Sequence, residues 1–113
     1  MNISTDFFLI ENEIPWEDLH NGVQRKIYGY NETLMLVKIK FQAGAVGAMH
    51  SHPHVQSSYV VSGSFELTIN NEKRILQTGD GYFVPANVEH GCVCLEAGIL
   101  IDAFSPARED FIE

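Results

Sequence analysis

His50, His52 and His54 occupy alternate positions, and Gln56 follows at the same spacing. In extended backbone, alternate side chains point to one face. These four residues can therefore converge on one point. Pro53 supports an extended run, because the residue before a proline is pushed out of the helical region. Neutral imidazole suits zinc, copper, iron and nickel. Three of the chain's five histidines fall in this short tract, so its predicted chemistry is metal binding. The plainer alternative is a solvated histidine-rich loop. By parity His54 could face a metal, line the rim of a pocket, or sit in water.

A second chemical group stands near the C-terminus. Asp102 interrupts the apolar run 98–104, where Leu100, Asp102 and Phe104 share one strand face. Burying an unpaired carboxylate costs several kcal/mol, on the order of transfer values. Asp102 is thus either at a wet or hydrogen-bonded position or a general acid or base with a pKa lifted by burial. Arg108 follows closely. Its fork matches a carboxylate, which makes it a clamp for an anionic substrate or half of a surface ion pair with an acidic neighbour. Cys92 and Cys94 share the parity of His90. They are extra ligands or, more ordinarily, inert buried thiols. One intervening residue leaves a disulfide between them strained.

The elements that must carry these groups read as short strands. Residues 1–30 form an N-terminal arm with short extended pieces. Within it Trp16 packs onto the body, 17–19 starts a single turn and 23–28 is a possible strand. In 34–41, Val37, Ile39 and Phe41 alternate with Lys38 and Lys40, the pattern of a half-buried strand. Extended structure resumes at 57–61, turns at Ser62-Gly63 and continues as Phe65, Leu67 and Ile69 alternate with polar residues. Asn70-Asn71 is a hairpin turn. Further strands are expected at 72–77, 82–84, 91–95 and 98–104. Ser105 and Pro106 read as the N-cap and first turn of a short helix running to Phe111. Many short strands with glycine-rich turns imply an all-β sandwich or barrel. Residues 31–113 make the barrel, and the whole chain is one domain.

The 113 residues are 45% apolar, enough for a core, and carry a net charge of −8. That charge argues against nucleic acid, which is bound by basic patches, and against an anionic membrane surface. The N-terminus lacks the pattern of a signal peptide, no apolar run approaches a membrane span, and free thiols fit a reducing compartment. A cytoplasmic location is expected.

Two blocks fix a resemblance. The first is Gly44, His50-Ser-His52, Gln56 and Gly63; the second is Gly79, Pro85 and His90. Their spacing resembles the two motifs of the cupin superfamily, whose fold is a small jelly-roll barrel with a metal in its lumen. The resemblance implies that His50, His52, Gln56 and His90 hold one divalent transition metal ion, which could be Ni, Zn, Fe or Mn. The chain departs from the common pattern at Gln56, often glutamate; at Asn87, often glycine; and at Cys94, often asparagine. An amide adds no negative charge, so such a site keeps the ion's full +2. It favours an anionic ligand over the two-histidine, one-carboxylate iron pattern of oxygenases.

Longer stretches narrow the resemblance. They are Pro15-Trp16-Glu17, the run from Gly44 to His54, the run from Val84 to Gly98, and Asp102-Ala-Phe104-Ser-Pro-Ala-Arg108-Glu-Asp-Phe111. Together they resemble the KdgF pectin-degradation family. That family is associated with converting 4,5-unsaturated monouronates from pectin or alginate to linear 4-deoxy-5-keto uronates. The resemblance implies a metal-dependent enzyme with a small anionic sugar substrate, with Asp102, Phe104 and Arg108 around the sugar, and a homodimer. A cupin dioxygenase and a non-catalytic small-acid binding module are the alternatives.

Overall fold

The computed structural model describes residues 3–112. Its order is a 3-10 turn at Glu11–Glu13, then β1 (Glu17–His20), β2 (Val23–Tyr30), β3 (Met35–Phe41), β4 (Val46–His50), β5 (Val55–Ile69), β6 (Glu72–Gln77), β7 (Gly81–Val84), β8 (His90–Ser105) and the short helix α1 (Glu109–Ile112). All pairings are antiparallel. The sheet runs β1-β2-β3-β8-β5-β6, with β4 on β8 and β7 on β5.

Two long strands, β5 and β8, pair along almost their whole lengths and divide the barrel between them. The second half of β8 lies between β3 and the first half of β5. Its first half lies between β4 and the second half of β5. Both strands bend at one place. Gly63 has φ +86°, and a Cβ on it would come within 2.6 Å of the Glu96 carbonyl oxygen. A Cβ on Gly98 would sit 2.0 Å from the Ser62 oxygen. Only glycine lets the two backbones cross this closely. The register shifts there, as at a β-bulge.

The turn expected at Ser62-Gly63 is therefore a bend inside one continuous strand, and the break expected between 95 and 98 is likewise bridged. Glu17–His20 is a strand rather than the start of a turn, because it pairs with β2. The chain reverses after it through His20, Asn21 and Gly22, all at positive φ. The helix also begins later than expected. Ser105 still pairs with Val55, and its hydroxyl donates to the Thr33 carbonyl 2.7 Å away. It is thus not free to cap a helix. The Asn70-Asn71 hairpin is as read: both residues have positive φ, and Ile69 pairs with Glu72.

The inward faces follow the alternation. Val60 and Leu100 are buried opposite one another, with Phe41, Phe65, Leu67 and Cys94 around them. A second cluster joins Met35, Val37, Phe104 and Ala107. Packing against one cluster or the other fixes the strands that carry the polar groups described next.

Candidate metal centre and its cavity

β4 and β8 run antiparallel with His50 directly opposite His90. His52 lies just beyond the end of β4, and Gln56 is the second residue of β5. Residues from the two sequence blocks meet at a backbone link: the Asn87 N–H donates to the His52 carbonyl at 2.8 Å. Asn87 has φ +65°. Asparagine here takes up the left-handed conformation for which glycine is the usual choice.

The ligand nitrogens of His50, His52 and His90 lie within 4.8 Å of one another. Each ring is oriented by a backbone carbonyl at Nδ1: Ala48 at 2.7 Å, His54 at 2.9 Å and Val88 at 2.9 Å respectively. A carbonyl only accepts, so each Nδ1 carries the proton and each Nε2 presents a lone pair. This is the arrangement that tunes histidines toward a metal. Nε2 of His90 is buried without a partner. Nε2 of His52 faces Oε1 of Gln56 at 3.1 Å.

The amide's orientation follows from its other end. Gln56 Nε2 donates to the Ser58 hydroxyl at 3.0 Å, and that hydroxyl donates to Asp102 at 2.5 Å, which leaves Oε1 turned to His52. Two lone pairs therefore face one another between His52 and Gln56. A cation resolves that contact, and the four donors suit a divalent ion of borderline softness. The set fits a metal.

Burial lowers the pKa of His90, and burial followed by the Arg108 charge lowers that of His52. Both shifts favour the neutral, ligating form. His54 stays outside the cluster of three. It gives its carbonyl to His52, and its own Nδ1 is buried without a partner.

The register also explains Asp102. It sits opposite Ser58 on β5 and Val37 on β3. It is 4% exposed. Burial raises its pKa to about 6, against the hydrogen bonds of Ser58 and Gln56 and the Arg108 charge, which pull it down. Tyr82 of β7 lies opposite Ser58 on the other side. Burial, then the nearby Asp102 charge, pushes its phenol well up, so it stays neutral.

These groups line one cavity of about 370 Å3, shared by His50, Gln56, His90, Asp102, Phe104 and Arg108. Phe104 meets His52 edge to face at 5.8 Å between centroids. Arg108 lies over Phe104 and Phe111 and holds Asp110 with two contacts, at 3.1 and 2.9 Å. Arg108 thus has the acidic neighbour of the ion-pair reading, and its side chain, 12% exposed, also lines the cavity. Cys92 also lines the cavity, but burial pushes its thiol up to about 11. Both cysteines are free and buried.

Residues 37–102 match the cupin domain family. The chain is 50% identical over 107 residues to the pectin degradation protein KdgF of Dickeya dadantii (strain 3937), covering 93% of this chain and 97% of that one. This chain is a cupin of the KdgF family. The structure of KdgF from Halomonas sp. superposes with a TM-score of 0.90 at 45% identity, over 95% of this cupin and 99% of that chain. An RmlC-like cupin from Shewanella frigidimarina NCIMB 400 superposes with a TM-score of 0.94 at 46% identity, over 96% and 97%.

Tyr82 and Arg25 line this cupin's cavity and Ser58 links Gln56 to Asp102, and the linear sequence singles out none of the three. Ser58 and Tyr82 become informative only through cross-strand register. Arg25 of β2 faces the cavity as well. Its alternation with Lys26 in β2 is a parity clue, but parity alone does not say which face meets the site.

Proposed function

We propose that this cupin converts 4,5-unsaturated monouronates, released from pectin or alginate, into linear 4-deoxy-5-keto uronates, with His50, His52, Gln56 and His90 as its metal ligands. The observation that carries this reading is Asp102: a buried carboxylate with a pKa near 6, joined through Ser58 to the metal-facing amide and open to the same cavity. A binding module has no need of such a group. The pectin-degradation name of the Dickeya relative supports the same substrate class.

The substrate is a cyclic enol ether with a carboxylate beside the double bond. His50, His52, Gln56 and His90 would hold a divalent ion, which when bound would supply positive charge to polarise an anionic substrate. Arg108 donates to the carboxylate, and Phe104 packs against the ring. The reaction is an isomerisation. The ring C1–O bond breaks as the C1 hydroxyl loses its proton, leaving an aldehyde at C1 and an enol at C5. A proton is then delivered to C4 and the enol proton is lost, leaving a ketone at C5. Asp102 accepts and returns protons in these steps, which its pKa allows near neutral pH. No oxidant and no water are consumed.

Under this proposal the protein works in the cytoplasm, where its two thiols stay reduced. Among the described residues, no helix is long and apolar enough to cross a membrane. It acts as a homodimer. The outer face of the sheet supports this: Leu36, Tyr59 and Phe83 are 38%, 50% and 58% exposed, with Ile101 paired beside Tyr59. Mass measurement in solution tests the dimer.

The test of function is an ultraviolet assay on unsaturated galacturonate. Metal-loaded protein is expected to remove the enol absorbance faster than the spontaneous rate, and chelated protein is not. Equal rates with and without protein would refute the proposal. Oxygen uptake matching substrate loss would favour the dioxygenase alternative instead.

A further inference from the structure

This chain has three arginines, at 25, 74 and 108, in a protein of net charge −8. Two of them, Arg25 and Arg108, face the one cavity that holds the histidines. They come from opposite ends of the chain and meet at one ring. The Arg25 guanidinium lies 4.0 Å from the centroid of Phe111, and that of Arg108 lies 4.2 Å from it.

Each guanidinium is held by one carboxylate. Glu17 Oε2 accepts from both Nε and Nη2 of Arg25 at 3.3 and 3.2 Å, while Asp110 accepts from Nε and Nη2 of Arg108 with its two oxygens. The arginine side chains are 14% and 12% exposed, whereas their carboxylate partners are 43% and 58% exposed. The cations are thus turned toward the cavity and the anions toward water. Glu17 uses only one edge of the Arg25 fork, and a guanidinium has five N–H donors. The remaining donors have no protein partner among the described hydrogen bonds.

Two like charges drawn to one ring repel each other; the Glu17 and Asp110 carboxylates offset that in part, and an anionic or oxygen-rich ligand in the cavity would offset more of it. A purely structural clip between β1 and α1 would need only the apolar stem and the Glu17 pair.

We propose that Arg25 is a second substrate-binding arginine. It donates to oxygens of the sugar away from the carboxylate that Arg108 takes, and so sets which monouronates fit. The inference rests on the uronate reading above. Arg108 alone fixes one end of the ligand; a second fork on another strand fixes its rotation in the cavity, which positions the reacting bond against Asp102.

The experiment compares Arg25→Gln, Arg25→Lys and Glu17→Gln with the wild type. Steady-state kinetics are run on unsaturated galacturonate, and calorimetric binding of saturated galacturonate needs no turnover. Melting temperature and metal content are recorded for each protein. Arg25→Gln is expected to raise KM about tenfold or more, the size of one lost charge-assisted contact, with kcat changed less. Arg25→Lys should recover only part, since a point charge lacks the fork. Glu17→Gln breaks the clip but keeps the guanidinium, so its KM should stay within about threefold of wild type.

A wild-type KM and wild-type galacturonate affinity in Arg25→Gln would overturn the proposal. So would a Glu17→Gln variant that loses as much affinity, because Arg25 would then act as a structural clip. If the wild type bound galacturonate and Arg25→Gln bound it more weakly, but neither consumed the unsaturated sugar, Arg25 would stand and the reaction proposed above would fall. A wild type that bound no galacturonate and turned over no unsaturated sugar would overturn both.

Discussion

Ser58 joins two chemistries that the sequence keeps 44 residues apart, from itself to Asp102. It accepts from the Gln56 amide and donates to the Asp102 carboxylate. Removing it should disturb both. Asp102 then loses a hydrogen bond that favours its charged form, so burial carries its pKa above about 6. Where activity needs the carboxylate, the acid limb of the pH–rate profile should move upward in Ser58→Ala, and Ser58→Thr should restore part of it. Asp102→Asn keeps the shape but cannot transfer a proton. It should lower kcat by about 10²–10⁴-fold with metal retained and KM little changed. Arg108→Ala should instead raise KM about tenfold or more, because in the proposed complex it would hold a carboxylate present in substrate and transition state alike. Steady-state kinetics on the three variants separates these outcomes. The histidines and Asp102 were legible because imidazole spacing and a carboxylate in an apolar run are rare local patterns. Ser58 and Tyr82 were not, since a serine or tyrosine at one alternate position says nothing until strand register sets Ser58 opposite Asp102 and Tyr82 opposite Ser58.

At the scale of the element, the site depends on the crossing of β5 and β8. Their bend lets one pair of strands serve both walls of the barrel, with Gln56 and Asp102 on the same side of it. Local sequence suggested a turn at Ser62-Gly63, because glycine marks turns and bulges alike. Only the long-range pairing distinguishes them. Gly98→Ala should destabilise by about 3 kcal/mol or more, since its Cβ would lie 2.0 Å from a carbonyl oxygen that cannot move without breaking the ladder. Gly44→Ala is the contrast. It meets nothing within 4 Å but stands at φ +84°, so its cost is the backbone strain alone, about 1–2 kcal/mol. Denaturant midpoints measure both. The late start of α1 has the same origin as the hidden bend: the local N-cap signal of Ser105 and Pro106 was overridden by pairing of Ser105 with Val55.

For the molecule as a whole, a bound metal and protons would compete for the same nitrogens. Burial lowers the pKa values of His52, His54 and His90 below the ordinary 6.5. A group whose folded pKa is depressed adds stability above its unfolded value and loses it as pH falls. The metal-free protein should therefore be most stable above about pH 6.5 and weaken as the pH drops through the lowered values. The loaded protein should keep its ion at pH 8 and release it under dialysis at pH 5, read by elemental analysis and melting temperature. The outer sheet face makes a second demand at this scale. Tyr59→Glu should shift the proposed dimer to monomer in a solution mass measurement, with the cavity untouched, because an added charge on the apolar face costs burial without repaying it.

The proposed reaction joins these scales, because a bound ion and one buried carboxylate must act on the same sugar without oxygen. The most direct measurement follows the enol absorbance of unsaturated galacturonate under anaerobic conditions, with metal-loaded wild type and metal-loaded Asp102→Asn side by side. The account predicts rapid loss with the wild type and a rate for Asp102→Asn that falls by about 10²-fold or more toward the spontaneous one, at equal metal content. Wild-type turnover that stops without oxygen, or an Asp102→Asn protein as fast as wild type, would contradict it.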